Sequence, residues 1–203
     1  VGELKSVLRA SCGVRAKKSE HILFAGCALL AMSNETFSAS FQRLSRSDIR
    51  PRLLSGAVST LVENGFGEFA HIYEDLSFDV CEDAISEFVR ILAPRVGEIA
   101  GSGIDFPGCF YDNSAQKNGI VLTPPSAARA MSALADAACS KYANVRPSGE
   151  QKPDSFLDIC TGGGALLLSA YAAHASSSSY FGVEKDERMC AAAAANFAAR
   201  KSF

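Results

Sequence analysis

The stretch Ser155-Phe156-Leu157-Asp158-Ile159-Cys160-Thr161-Gly162-Gly163-Gly164 decides the fold. Its first six residues are mostly apolar and bounded by turn formers, as a short buried strand requires. Three glycines follow, and then the Ala/Leu-rich run to about His174 reads as a helix. Tyr180-Phe181-Gly182-Val183-Glu184 reads as a second strand, and Asp186 to Arg200 as a second helix. Strand, helix, strand, helix in this order predicts a parallel βαβ unit.

The flanking segments extend this frame. Pro147 to Pro153 and Ser176 to Ser179 read as connections. Ser126 to Tyr142 is an Ala-rich helix, preceded by Asn118-Gly119-Ile120-Val121-Leu122-Thr123-Pro124-Pro125 and by loop signals at Pro107, Gly108 and Asp112 to Ser114. Residues 1–104 read as helices only. Glu20 to Met32 is apolar nearly all round, as a core helix is. A second helix is capped at Ser47-Asp48, carries Pro51 in its first turn and stops at Asn64-Gly65. A third spans Cys81 to Ile99 with a kink at Pro94. The expected division is a helical region over 1–104 and an α/β region over 105–203.

Composition bounds the chemistry. The chain has 203 residues, 48% of them hydrophobic, enough for a real core. No run of eighteen apolar residues occurs, so no membrane span is expected, and the first residues lack a signal-peptide layout. Seven cysteines without a C-x-x-C spacing predict reduced thiols in the cytoplasm. Cys160, with no paired base, reads as a small core residue. His21, His71 and His174 are scattered, so no metal site is expected. Residues 1–52 hold nine Lys/Arg against four Asp/Glu, whereas residues 53–110 hold two against ten. A basic arm suits nucleic acid, and a solvated helical surface accounts for it equally well.

The glycine turn carries the chemistry. A strand entering a helix through glycines is where open α/β sheets bind nucleotides. The helix start offers free N–H groups to a carboxylate or phosphate. Glu184 ends the next strand twenty residues after Gly164, where a carboxylate can accept from ribose hydroxyls. The ligand is a dinucleotide or S-adenosylmethionine. The dinucleotide fingerprint lacks its third glycine, since Leu167 stands there, and no P-loop lysine follows the glycines. Asp158 is placed to meet a methionine ammonium through its neighbours.

These segments resemble the N6-adenine DNA methyltransferases, closest to modification subunits of type I restriction systems. Asn118 to Pro125 is similar to the segment that closes over the methionine end of the cofactor. Leu157 to Leu167 resembles the first cofactor motif, and Phe181 to Asp186, with Ala195-Asn196, the acidic motif and its helix. Asp105-Phe106-Pro107-Gly108-Cys109-Phe110-Tyr111 resembles a recurring segment ahead of them. The chain differs from the family at Gly163, Ala165 and Leu166, where Ser, Thr or Ala, then Gly and Phe, are usual.

The resemblance implies a partial Rossmann-like, class I S-adenosylmethionine-dependent methyltransferase fold behind an all-α N-terminal region. It implies S-adenosylmethionine as cofactor, held by Leu122, Thr123, Pro124, Asp158, Gly162, Gly163, Gly164 and Glu184. In the complete protein it implies DNA as substrate, with a specificity subunit or a second copy as partner. The family's catalytic loop, Asp or Asn followed by two prolines and an aromatic, is absent. The only Pro-Pro is Thr123-Pro124-Pro125-Ser126, so no catalytic residue is assigned. Two other readings stand beside this one. One is a non-catalytic methylase remnant that binds DNA or acts as a scaffold; the other is an RNA or protein methyltransferase. The chain ends after the second helix, which leads us to expect a piece of a longer fold with an uncovered sheet face, prone to associate.

Overall fold

The structure, a computed structural model, describes residues 1–11, 18–76, 80–111, 122–142, 155–174 and 179–202. The readings made for Asn118 to Val121, Asp112 to Ser114, Pro147 to Pro153 and Ser176 to Ser178 fall outside these residues. The fold is mostly helical, with one two-stranded parallel sheet.

Helix α1 (Gly2–Ser11) leads to α2 (Lys18–Ser33), which forms the centre of the molecule. Every residue from Ile22 to Met32 is buried, which explains why no polar stripe interrupts that run. The short α3 (Glu35–Ser40) starts where the Asn34 side chain accepts the Phe37 N–H at 3.1 Å. Helix α4 (Arg46–Glu63) ends at Asn64-Gly65 as expected, but begins earlier than expected. Ser45, not Ser47, is the capping residue, and its hydroxyl donates to Asp48 Oδ2 at 2.6 Å. Pro51 therefore lies inside the helix.

Helix α5 (Ala70–Glu74) is one turn. The single kinked helix expected over Cys81 to Ile99 is instead two helices, α6 (Glu82–Leu92) and α7 (Val96–Gly101), joined by a 3-10 turn at Ala93–Arg95. Pro94 has no N–H to give to the α ladder, and the chain breaks there rather than bends. A further 3-10 turn, Pro107–Phe110, leads on to α8 (Pro125–Tyr142).

The α/β unit follows in the predicted order. Strand β1 (Ser155–Asp158), helix α9 (Ala165–His174), strand β2 (Ser179–Gly182) and helix α10 (Glu187–Lys201) succeed one another. The strands are parallel, with Leu157 beside Phe181 and Asp158 beside Gly182. The strand expected to be buried is covered on one face only. Phe156 stacks on Tyr180 with ring centroids 5.3 Å apart, and Tyr171 of α9 meets that pair edge-on. On the other face Leu157, Ile159, Phe181 and Val183 are all more than half exposed. Parallel strands normally have both faces covered, and here one face of the pair is open.

The helical and α/β regions share one core. Ala191, Ala194, Ala195, Ala198 and Ala199 of α10 are buried in the cluster that contains α2, α4 and α6. Small side chains let the helix axes approach closely: a Cβ on Gly26 of α2 would lie 2.8 Å from the Tyr73 hydroxyl and 3.3 Å from the Ala195 methyl. Tyr73 is itself buried and donates to the Ala191 carbonyl at 2.9 Å. We expect Gly26→Val to destabilise the protein by about 2 kcal/mol, because overpacking outweighs the small gain in helix propensity. Urea unfolding followed by circular dichroism measures this, and an unchanged midpoint would mean the α2–α10 contact has room to spare.

No single helix among the described residues is long and apolar enough to cross a membrane.

Candidate functional site: the glycine turn and two flanking cavities

The turn after β1 continues the sheet before the chain enters α9. The Val183 N–H donates to the Asp158 carbonyl at 2.8 Å, and the Thr161 N–H donates to the Val183 carbonyl at 3.1 Å. The Thr161 hydroxyl closes the turn on the Asp158 carbonyl at 3.0 Å. Gly162 and Gly164 have φ of 53° and 88°, the left-handed region that side chains disfavour. Asp158 itself caps the turn, with its Oδ1 accepting the Cys160 N–H at 3.0 Å.

Glu184 folds back onto this turn. Its Oε2 accepts the Gly162 N–H at 2.9 Å, and its Oε1 accepts the N–H groups of Lys185 and Asp186 at 2.8 and 3.0 Å. Partial burial pushes this carboxyl up, but the N–H groups of Asp186, Gly162 and Lys185, with the Lys185 charge, outweigh it and hold Glu184 below its ordinary value. It stays ionised and directed at the turn. Asp186 caps α10 by accepting from Arg188 N and Met189 N.

Gly163 has a different reason to be glycine. A Cβ there would fall on the Asp105 carboxylate, and the same carboxylate excludes a Cβ at Gly108. The space a side chain at position 163 would need is thus occupied by another residue's oxygen. Asp105 is 8% exposed. Its Oδ1 accepts the Gly108 N–H at 2.9 Å and the Asn196 Nδ2 at 2.8 Å. Asn196 also donates to the Gly163 carbonyl at 3.1 Å and accepts the Phe106 N–H at 3.2 Å. One amide of α10 therefore ties the glycine turn to the segment before α8. Burial raises the Asp105 carboxyl to about 6, against which the Gly108 N–H and Asn196 pull only in part.

Two cavities flank the turn. One, of about 330 Å³, is bordered by Thr161, Gly182 and Glu184 and walled by Tyr171, Tyr180 and Phe197. The other, of about 250 Å³, is lined by Leu122, Thr123 and Pro124, with Asp105, Tyr111 and Ala165 opposite. The residues read from the sequence are brought to one locality but divided. Glu184 borders the first cavity, and Leu122, Thr123 and Pro124 the second. Gly162 lies between, bonded to Glu184 and 3.8 Å, at its Cβ position, from Leu122 Cδ2. Asp158 and the three glycines line neither cavity.

Sequence reasoning missed Asp105 as a site residue and gave Asn196 no role beyond its place in the helix after the acidic motif. The available signal was a polar side chain at a core position in an alanine run. Cys160, expected in the core, is exposed. Phe110 packs between Phe88 and Phe106. Among the described residues no cluster of His, Cys, Asp or Glu is arranged to hold a metal. Part of the basic arm is spent internally: Arg46 pairs with Asp83 at 3.0 Å and Arg50 with Glu82 at 3.4 Å, joining the basic segment to the acidic one.

No protein-family model matches this chain, and neither a curated protein nor a solved structure matches it.

Proposed function

We propose that this chain is the S-adenosylmethionine-binding portion of a class I methyltransferase with a Rossmann-like fold, of the adenine-N6 DNA-modifying type. The observation that carries the reading is convergence. Three segments far apart in sequence, around Leu122, Gly162 and Glu184, meet at one glycine turn between two cavities. In this reading the Glu184 carboxylate, already ionised and aimed at the turn, takes the ribose hydroxyls. The apolar wall of Leu122 and Pro124 faces the methionine end. The catalytic loop motif is absent from this sequence, so no residue here is assigned to the base substrate.

The test is calorimetric titration of S-adenosylmethionine into the chain, with Glu184→Ala and Asp158→Ala beside it. Glu184→Ala is expected to weaken binding by roughly 10- to 100-fold, the loss of hydrogen bonds to a charged acceptor. Asp158→Ala is expected to weaken it less, about tenfold, by loosening the turn it caps. A folded sample that binds no cofactor sinks the reading. Salt-dependent DNA binding by that same sample would favour a remnant that acts as a DNA-binding scaffold.

A further inference from the structure

The fold divides the positive charge carried by residues 1–52. Arg46 and Arg50 pair with Asp83 and Glu82 of α6, and Arg50 also donates to the Val80 carbonyl. Arg43 and Arg52 have no such partner: among the described residues neither makes a hydrogen bond or an ion pair. Arg52 stands two residues beyond Arg50, about 200° further round α4, so it leaves the neutralised face. It lines a third cavity, of about 400 Å³, between α3 and α4. That cavity shares no residue with the two beside the glycine turn. Arg43 lies in the 3-10 turn between two more of its lining residues, Ser40 and Leu44.

The rest of the lining is rich in uncharged donors. Ser55 and Ser59 continue the Arg52 side of α4 at helical spacing, and Asn34 and Thr36 line the cavity from the start of α3. Asn34 Oδ1 is taken by the Phe37 N–H, which leaves the amide nitrogen as a donor. The stripe on α4 ends at Glu63, whose Oε1 accepts the Ser59 hydroxyl at 2.7 Å. Eleven residues of helix separate Arg52 from Glu63 by about 16 Å, too far for them to neutralise each other. A guanidinium beside hydroxyl donors suits a phosphate, and a carboxylate suits the hydroxyls of a sugar. We infer that the groove between α3 and α4 binds a sugar phosphate, with Arg52 taking the phosphate and Glu63 the sugar hydroxyls. Both side chains are long enough to close the remaining distance on a ligand of that size. The site is independent of the cofactor reading and stands or falls without it.

The experiment titrates the full chain by calorimetry with ribose 5-phosphate and glucose 6-phosphate, their parent sugars and inorganic phosphate. At least one sugar phosphate is expected to bind about tenfold more tightly than either its sugar or inorganic phosphate. Arg52→Gln should lower that affinity to the level of the sugar, and Glu63→Gln to the level of inorganic phosphate. Both residues are exposed, so the urea midpoints of the variants should match the wild type. Binding no tighter than that of inorganic phosphate overturns the inference, as does binding that survives both substitutions, and as does no binding at all. A single-stranded oligonucleotide that binds where both sugar phosphates fail also overturns it, and assigns the unpaired arginines to nucleic acid instead.

Discussion

Replacing Asn196 by leucine is expected to destabilise the protein by about 4 kcal/mol at neutral pH, the largest effect of any single change outside the apolar core. The side chain is 3% exposed and makes three hydrogen bonds, to Asp105, to the Gly163 carbonyl and from the Phe106 N–H. Leucine is similar in size, so no large cavity is created; the cost comes from stranding the Gly163 carbonyl and the Phe106 N–H and taking one of two hydrogen bonds from the Asp105 carboxylate. Leaving a buried polar group unsatisfied costs about 1–3 kcal/mol, and more where the group is charged. Urea midpoints measure the loss. A change below about 1 kcal/mol would show that water replaces the amide and that the network does not hold the turn. Because Asn196 and Asp105 are in contact, Asn196→Leu combined with Asp105→Asn should be non-additive, the double variant losing less than the two parts suggest.

The second large effect is a pH dependence with an unusual sign. Among the described residues, Glu87 and Glu184 are held below their ordinary values, and what they contribute is lost as pH falls. Asp105 is held high, at about 6 against an ordinary 3.8, chiefly by burial. The folded state therefore keeps this proton over a range where the unfolded chain has released it. Stability from this group is fully present below about 3.8, declines as pH rises, and is gone above about 6. The difference corresponds to roughly 3 kcal/mol. Asp105→Asn has no proton to lose there. Unfolding free energies of the two proteins should diverge between pH 4 and 7, with the variant gaining on the wild type by roughly that amount. Parallel curves would mean that Asp105 titrates normally in the folded state.

These two predictions fall on residues that the sequence did not mark for a role, and the reason is physical. Asp105 and Asn196 are ninety-one positions apart, and only Asn196, a polar residue after an alanine run, stands out among its neighbours. Their partnership exists only because α10 packs on α2 and the Pro107–Phe110 turn, through the alanine face of α10 and Gly26. Periodicity places a polar residue on a buried face, but it does not say which distant residue will satisfy it. The same holds for the two cavities. The segments around Leu122, Gly162 and Glu184 were legible one by one. That Glu184 would border one space and Leu122 to Pro124 another was not.

What the sequence by itself determined was local. Glycines at the turn, alternating strand and helix patterns and an all-apolar run from Ile22 to Met32 set the parallel β1–α9–β2 unit and the central helix, because backbone sterics and burial act within a few residues. Even there, the helix expected from Cys81 to Ile99 broke at Pro94, and Pro51 fell inside α4, since cap choice depends on neighbours such as Asp48. Tertiary structure alone decided the rest. It merged the helical and α/β regions into one core and left one sheet face of Leu157, Ile159, Phe181 and Val183 open. It also pressed the Asp105 carboxylate against Gly163, because only packing brings an oxygen and a missing side chain to the same place.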